Sequence, residues 1–251
     1  MDNQLFYALL VVTGVAAGII NTLAGGGSNL TLPALMVMGM PADVANATNR
    51  VSVMLQSMTA LVSFKRHNML PTEDVGPVLV PTLLGGLMGA FAAVYTSTDL
   101  LKPLLLGSML TMALIILVKP DIMIPPPGTE PRHVRDTPSS WFWLWLSGLY
   151  GGFVQAGVGF ILITALAGSL RYDLVRTNAL KAACACAFTA LALAIFIPQG
   201  LIQWIPGLVL AAGSVVGAQI AVKFAISAKP AILKRLLFLM TLAGTVAALF
   251  S

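Results

Sequence analysis

The chain has 251 residues, 58% of them hydrophobic and only 9% charged, with a formal net charge of +5 and a mean hydropathy of +0.91. Soluble domains carry about 25% charged residues, so this composition excludes a water-covered globule and reads as a polytopic membrane protein. Nucleic-acid binding is not read from the excess of Lys and Arg, because in such proteins the cations mostly set orientation.

Apolar runs lie at 4–22, 30–40, 44–64, 75–97, 101–118, 141–154, 160–170, 174–198, 204–222 and 231–250. A full crossing needs about 20 residues. The runs at 30–40 and 160–170 are too short for that, and 141–154 is marginal. The first run does not read as a signal peptide, since its one early charge is Asp2 and it lacks a basic leading segment. It ends in Gly25-Gly26-Gly27-Ser28-Asn29, and three consecutive glycines stop a helix. In lipid the freed N–H and C=O groups cost several kcal/mol each unless protein or a polar cavity covers them. Residues 23–29 therefore read as a broken helix inside the membrane.

The helix expected after it carries Asn49, Ser52, Gln56, Thr59 and Ser63 at helical spacing, one polar stripe facing protein or water. Residues 119–140 hold six prolines among Asp, Glu, Arg and His, and form a polar connector outside the bilayer. Within it His133 is read as having no chemistry. Trp141, Trp143 and Trp145 follow as an interfacial anchor. A second break then appears at Gln155-Ala156-Gly157-Val158-Gly159, and the helix after it carries Asn178, Lys181 and Thr189. Cys184 and Cys186, two apart on an apolar helix, suit neither a disulfide nor a metal site and read as small packing residues.

The two sides of the connector repeat each other. Ala17-Gly18-Ile19-Ile20 matches Ser147-Gly148-Leu149-Tyr150, and Asp43 with Thr48-Asn49 matches Asp173 with Thr177-Asn178. Phe64 with Asn68 matches Phe196 with Gly200, and Gly85/Gly89 matches Gly213/Gly217. Such duplication is common in transporters. The cations test its sense. If both broken segments are hairpins that return to their own side, Lys65, Arg66, Lys119, Arg132, Arg135, Arg171, Arg176, Lys223, Lys229, Lys234 and Arg235 share one side, and only Lys102 falls opposite. That obeys the positive-inside tendency and puts the N-terminus outside. The expected fold is all-α: a polytopic helical bundle of two inverted repeats. Residues 1–118 (a broken hairpin plus three helices) and 141–251 each open with a glycine-broken helical hairpin, and a proline-rich cytoplasmic connector at 119–140 joins them.

Inverted hairpins bring two helix starts near the midplane, Gly26, Gly27, Ser28 and Asn29 in one, Gln155, Gly157 and Gly159 in the other. Helix starts carry unpaired N–H groups and a partial positive charge, which suits an anion. Asn49, Arg50 and Gln56 from the first half and Asn178 and Lys181 from the second complete the expected substrate-binding set. Arg50 and Lys181 each lie about 10–12 Å into their helices. An intramembrane cation is a functional hypothesis by default, the alternatives being snorkelling or capping a neighbouring helix end. No Asp or Glu falls deep within an expected crossing, which favours an anionic over a cationic cargo. The chain holds no metalloprotease, nucleophile-elbow or phosphate-loop motif, so it is not read as an enzyme, and no cofactor or metal is expected.

The stretch from Ala17-Gly18 through Ala24-Gly25-Gly26-Gly27-Ser28-Asn29-Leu30-Thr31-Leu32-Pro33, with Gly39-Met40-Pro41 and Asn46-Ala47-Thr48-Asn49-Arg50, resembles the sulfite exporter TauE/SafE family. Gly148-Leu149-Tyr150-Gly151-Gly152-Phe153 with Gly157-Val158-Gly159 resembles that family's repeat, although Gln155-Ala156 stands where the first half has Gly25-Gly26. The resemblance implies a multi-pass protein of the cell inner membrane, a secondary transporter moving small sulfur-containing anions such as sulfite, sulfoacetate or other organosulfonates, usually outward. Its expected partners are that anion and the lipid bilayer, with no nucleic acid; a homodimer is left open. A passive anion channel with the same site, and a membrane-embedded enzyme or assembly subunit, are the competing readings.

Overall fold

The computed structural model describes residues 3–97, 99–101, 103, 104, 107, 125, 128–228 and 232. The crossings expected at 101–118 and 231–250 lie almost wholly outside the described residues, and so do Lys102, Lys119, Lys229, Lys234 and Arg235. Among the described residues every regular element is helical. The first half holds α1 (Asn3–Leu23), α2 (Ser28–Val37), α3 (Ala42–Arg66) and α4 (Thr72–Tyr95). After a 3₁₀ turn at Val134–Asp136 come α5 (Pro138–Phe153), α6 (Val158–Ile163), which runs into a π turn at Thr164–Ser169, α7 (Leu174–Phe196) and α8 (Trp204–Ser227).

Leu5–Leu23 of α1, and α4, α7 and α8, are each long and apolar enough to cross a membrane. With 25 residues, α3 is as long, about 37 Å. Its hydropathy is lower because one face carries Asn46, Asn49, Arg50, Ser52 and Gln56 inward, all buried. The opposite distribution holds outside, where Leu5, Leu9, Val12, Leu84, Leu87, Met88, Phe91 and Ile220 are exposed. Polar groups inside and large apolar groups outside suit a lipid solvent. The five-residue stripe expected on α3 is only partly inward: Thr59 and Ser63 are half-buried at the edge of an outer groove. A repeat averaging 3.5 residues drifts about 20° per heptad against the helix's 3.6, so the far end of the stripe turns off the core.

Glycine contacts pair the helices. On α1, a Cβ at Gly14 would sit 2.4 Å from the Leu210 carbonyl oxygen, and on α8 one at Gly213 or Gly217 would sit 2.2 Å from the carbonyl of Val11 or Val15. The same arrangement joins α4 and α5: Gly85 faces the Trp145 carbonyl, Gly89 that of Leu149, and Gly148 that of Thr82. Backbones this close permit many dispersion contacts and form the usual small-residue membrane interface. In both pairs residue numbers rise together, so α1 runs with α8 and α4 with α5. By contrast α3 and α7 run in opposite directions, since Arg50 lies over the Phe196 ring while Phe64 clusters with Leu174.

Each short helix folds back along the helix before it. Gly27 lies against the Ala17 carbonyl and Asn21, and Leu32 and Leu35 of α2 return to the cluster that holds Leu10. Likewise Leu162 of α6 returns to Leu144. The end of the connector is docked rather than loose: Val134 is buried, and the Arg132 N–H donates to the Leu170 carbonyl at 2.7 Å. Helix α5 begins at Pro138, inside the connector as first drawn, because proline fits a first helical turn where its missing N–H is not needed. His133 is exposed, with its ring nitrogen 3.4 Å from Asp74. Both cysteines are free, Cys184 buried near Thr82 and Cys186 partly buried.

Candidate functional site

The two breaks are built alike. At the end of α1 the Ile20 carbonyl accepts from the N–H groups of Ala24 (2.7 Å) and Gly25 (3.0 Å); at the end of α5 the Tyr150 carbonyl accepts from Val154 (2.9 Å) and Gln155 (3.1 Å). The next residue to turn is left-handed in each, Gly25 at φ +91 and Gln155 at φ +66. A non-glycine residue is uncommon there; Gln155 is held by its own Nε2 donating to Thr189 Oγ1 at 3.0 Å. Aligned positions elsewhere agree too, Asn68 (φ 58) and Gly200 (φ 67) both being left-handed. The breaks then touch. The Gly159 N–H donates to the Gly25 carbonyl at 3.3 Å, and a Cβ on Gly159 would stand 2.1 Å from the Gly25 Cα. No side chain fits in this crossing.

The helix-start N–H groups are engaged locally. Asn29 donates to the Gly26 carbonyl, Leu30 to Gly27, Val158 to Gln155 and Phe160 to Gly157, at 3.0–3.2 Å. These four donors are thereby engaged, and the polarity facing the space between the halves comes chiefly from side chains.

The two intramembrane cations do equivalent work at the other helix ends. A helix leaves its last four carbonyls unpaired and carries a partial negative charge there. At α5, Tyr150 is served by the turn, and Arg50 of α3 reaches across. Its Nη1 donates to the Gly151 carbonyl, and its Nη2 to Gly152 at 2.8 Å and Phe153 at 3.2 Å. Asn46 Nδ2 adds a bond to Phe153 at 3.0 Å, so all four carbonyls are accounted for. At α1, Lys181 of α7 donates to the Thr22 carbonyl at 3.0 Å, and Thr22 aligns with Gly152. Each half thus caps the broken helix of the other.

The Lys181 cap borders a cavity. A space of about 20 Å³ is lined by Asn21, Thr22, Gln56, Ser57, Gln155, Asn178, Lys181 and the Gly159 backbone, closed by Val53, Ala60, Val158, Leu162, Ala182 and Ala185. Lys181 is 5% exposed, and its Nζ also donates to Asn178 Oδ1 at 2.8 Å. Two acceptors for an ammonium with three N–H bonds leave one donor. Thr22 Oγ1 and Gln155 Oε1 are buried and unpartnered. No acidic residue lines the space, so its net character is positive. About 20 Å³ holds one water, and a polyatomic ion enters only if the walls part.

A sequence profile of the family described as sulfite exporter TauE/SafE matches residues 10–248. The chain belongs to the sulfite exporter TauE/SafE family. It is 28% identical over 237 residues to a probable membrane transporter protein of Haemophilus influenzae, covering 93% of this chain and 91% of that one. It is 27% identical to probable membrane transporter protein ORF9 of a Sinorhizobium species (94% and 89% covered), and 27% identical to probable membrane transporter protein YfcA of Escherichia coli K12 (90% and 83% covered). This is a multi-pass protein of a membrane transporter family.

In this TauE/SafE chain the residues singled out from the sequence divide into two groups. Gln56, Gln155, Gly159, Asn178 and Lys181 line the cavity. Gly26, Gly27, Ser28, Asn29, Asn49, Arg50 and Gly157 are all buried but stand outside its lining. Asn49 ties α3 to α2, donating to Ser28 Oγ at 3.1 Å and accepting from Thr31 Oγ1 at 2.7 Å. Gly26 packs on the Phe160 ring, Gly27 on α1, and Gly157 supplies a left-handed turn (φ +75). Asn29 Oδ1 is buried without a partner. Sequence reasoning missed Asn21, Thr22 and Ser57. The first two are a polar pair closing an apolar helix just before its break, a signal that was readable; Ser57 sits on the shoulder of the stripe. Among the described residues no group of His, Cys, Asp and Glu could hold a metal ion.

Proposed function

We propose that the chain is a secondary transporter of small sulfur-containing anions, sulfite, sulfoacetate or another organosulfonate, working outward across the cell inner membrane. The observation that carries this reading is the small cavity with Lys181 at its wall and no carboxylate to neutralise it. A cation pathway is normally marked by acids at such a depth. Lys181 binds the anion, Asn178, Gln56 and Ser57 orient it, and Arg50 holds the neighbouring helix end. The two halves are inverted repeats around the crossing of Gly25 and Gly159. The exchanged pairs α1 with α8 and α4 with α5, and the opposed α3 and α7, support that symmetry. The N-terminus lies outside and the connector in the cytoplasm. In support, Arg132 and Arg135, the turn at Arg171 and the start of α4 gather at one end of the bundle, as the positive-inside tendency requires.

A site with room for about one water admits a polyatomic ion only when its walls part, and in this reading they part on either side in turn. That favours a carrier over an open channel. The ligand test is a thermal-shift screen of purified protein with sulfite, sulfate, thiosulfate, taurine and sulfoacetate. A bound ligand at a hundred times its Kd stabilises by about 2.7 kcal/mol. At least one sulfur oxyanion is expected to raise the Tm of the wild type, and Lys181→Met to lose the rise while keeping a cooperative melt. A rise of equal size in Lys181→Met removes Lys181 from the site.

A further inference from the structure

A second, separate groove lies on the outside of the bundle between α3 and α8, with a volume of about 560 Å³. On α3 it is lined by Leu55, Met58, Val62 and Arg66, which climb one helix face. On α8 it is lined by Val215, Gln219 and Lys223, four apart along the facing side. Both ladders run the same way, apolar at one end and cationic at the other. Leu55, Met58 and Val62 are 38%, 45% and 46% exposed, and Arg66 and Lys223 are exposed as well. No acidic residue lines the groove.

We propose that this groove binds one anionic phospholipid, with an acyl chain along Leu55, Met58, Val62 and Val215 and the phosphate between Arg66 and Lys223. The dimensions fit: Leu55 to Arg66 rises about 16 Å, half of the roughly 30 Å hydrocarbon core, which is the depth of one leaflet. The chemistry fits too. Exposed methyl and methylene groups match a lipid chain, and two cations at the interface match a headgroup phosphate and attract anionic lipid. Ser63, about 4.5 Å along the helix from Arg66, stands nearest the level of the glycerol esters. A free inorganic anion gains nothing from the apolar stem. A second copy of the chain, related by an axis along the membrane normal, would set Arg66 and Lys223 against their own like charges.

The experiment is native mass spectrometry of the full chain, released from micelles that contain equal amounts of phosphatidylglycerol and phosphatidylcholine. Wild type is expected to retain one phosphatidylglycerol in clear preference to phosphatidylcholine. Arg66→Gln with Lys223→Gln is expected to lower that preference roughly thirtyfold, from the worth of two interfacial cations. Met58→Trp, which fills the stem and keeps both charges, is expected to lower total lipid retention. Equal retention of the two lipids by wild type overturns the proposal. So does an unchanged preference in the double variant, unchanged retention in Met58→Trp, or displacement of the bound lipid by millimolar inorganic phosphate.

Discussion

Arg50→Met is expected to leave little folded protein. Arg50 is fully buried, and its two terminal nitrogens serve the Gly151, Gly152 and Phe153 carbonyls at the end of α5. Methionine keeps the volume and removes every donor. A buried acceptor left unpaired costs about 1–3 kcal/mol in proteins, and the bilayer offers no water in exchange. Asn46 retains one bond to Phe153, so two carbonyls are orphaned outright and the loss is about 2–6 kcal/mol. The upper end of that loss reaches the low end of whole-domain stability, about 5 kcal/mol. Arg50→Lys keeps the charge but not the planar fork that reaches adjacent carbonyls, so it should rescue part of the loss. Size-exclusion profiles and melting curves in detergent measure this. Arg50→Met protein that is monodisperse and melts with the wild type would show that the helix end needs no cap.

The second large effect is expected at the crossing of the two breaks. Gly25→Ala meets two obstacles, a left-handed backbone at φ +91 and a Cβ placed 2.3 Å from the Gly159 Cα. The first costs about 1–2 kcal/mol and the overpacking about 1–3 kcal/mol. Gly159→Ala meets only the second, its Cβ falling 2.1 Å from the Gly25 Cα. Both variants should lower the Tm, with Gly25→Ala the worse. Because either one already forces the breaks apart, the double variant should cost less than the sum of the two, as expected for residues in contact. Strict additivity of the three melting free energies would mean that the breaks do not rest on each other.

Much of this arrangement was legible in the residues because lipid is a strict solvent. Gly25-Gly26-Gly27 cannot continue a helix there, and the short runs after each break cannot cross, so a fold-back was required. The same constraint made Gly85/Gly89 and Gly213/Gly217 readable as helix contacts. The partners of the cations were not legible. Arg50 and Lys181 both looked like ligands, since sequence gives a charge its depth and not the element standing opposite. Only the fold reveals that Gly151–Phe153 face Arg50 and engage both of its terminal nitrogens, leaving Nε buried without a partner, while Lys181 meets one carbonyl and borders a cavity with a donor to spare. Nor did the spacing show that Thr59 and Ser63 leave the core, because a small angular drift decides it. The helix-start N–H groups looked free after both breaks, yet those of Asn29, Leu30, Val158 and Phe160 are closed by the turns themselves, a matter of local dihedral angles that composition does not encode.

Counterflow in proteoliposomes tests the central claim most directly. Vesicles loaded with unlabelled sulfite or sulfoacetate are diluted into a trace of the same labelled anion, with wild type and Lys181→Met reconstituted side by side. Wild type is expected to accumulate label transiently, as a carrier with one alternately exposed site must, and Lys181→Met to show none although it inserts and melts cooperatively. Equal accumulation by the two proteins would mean that the cavity beside the crossed breaks is not where the anion binds.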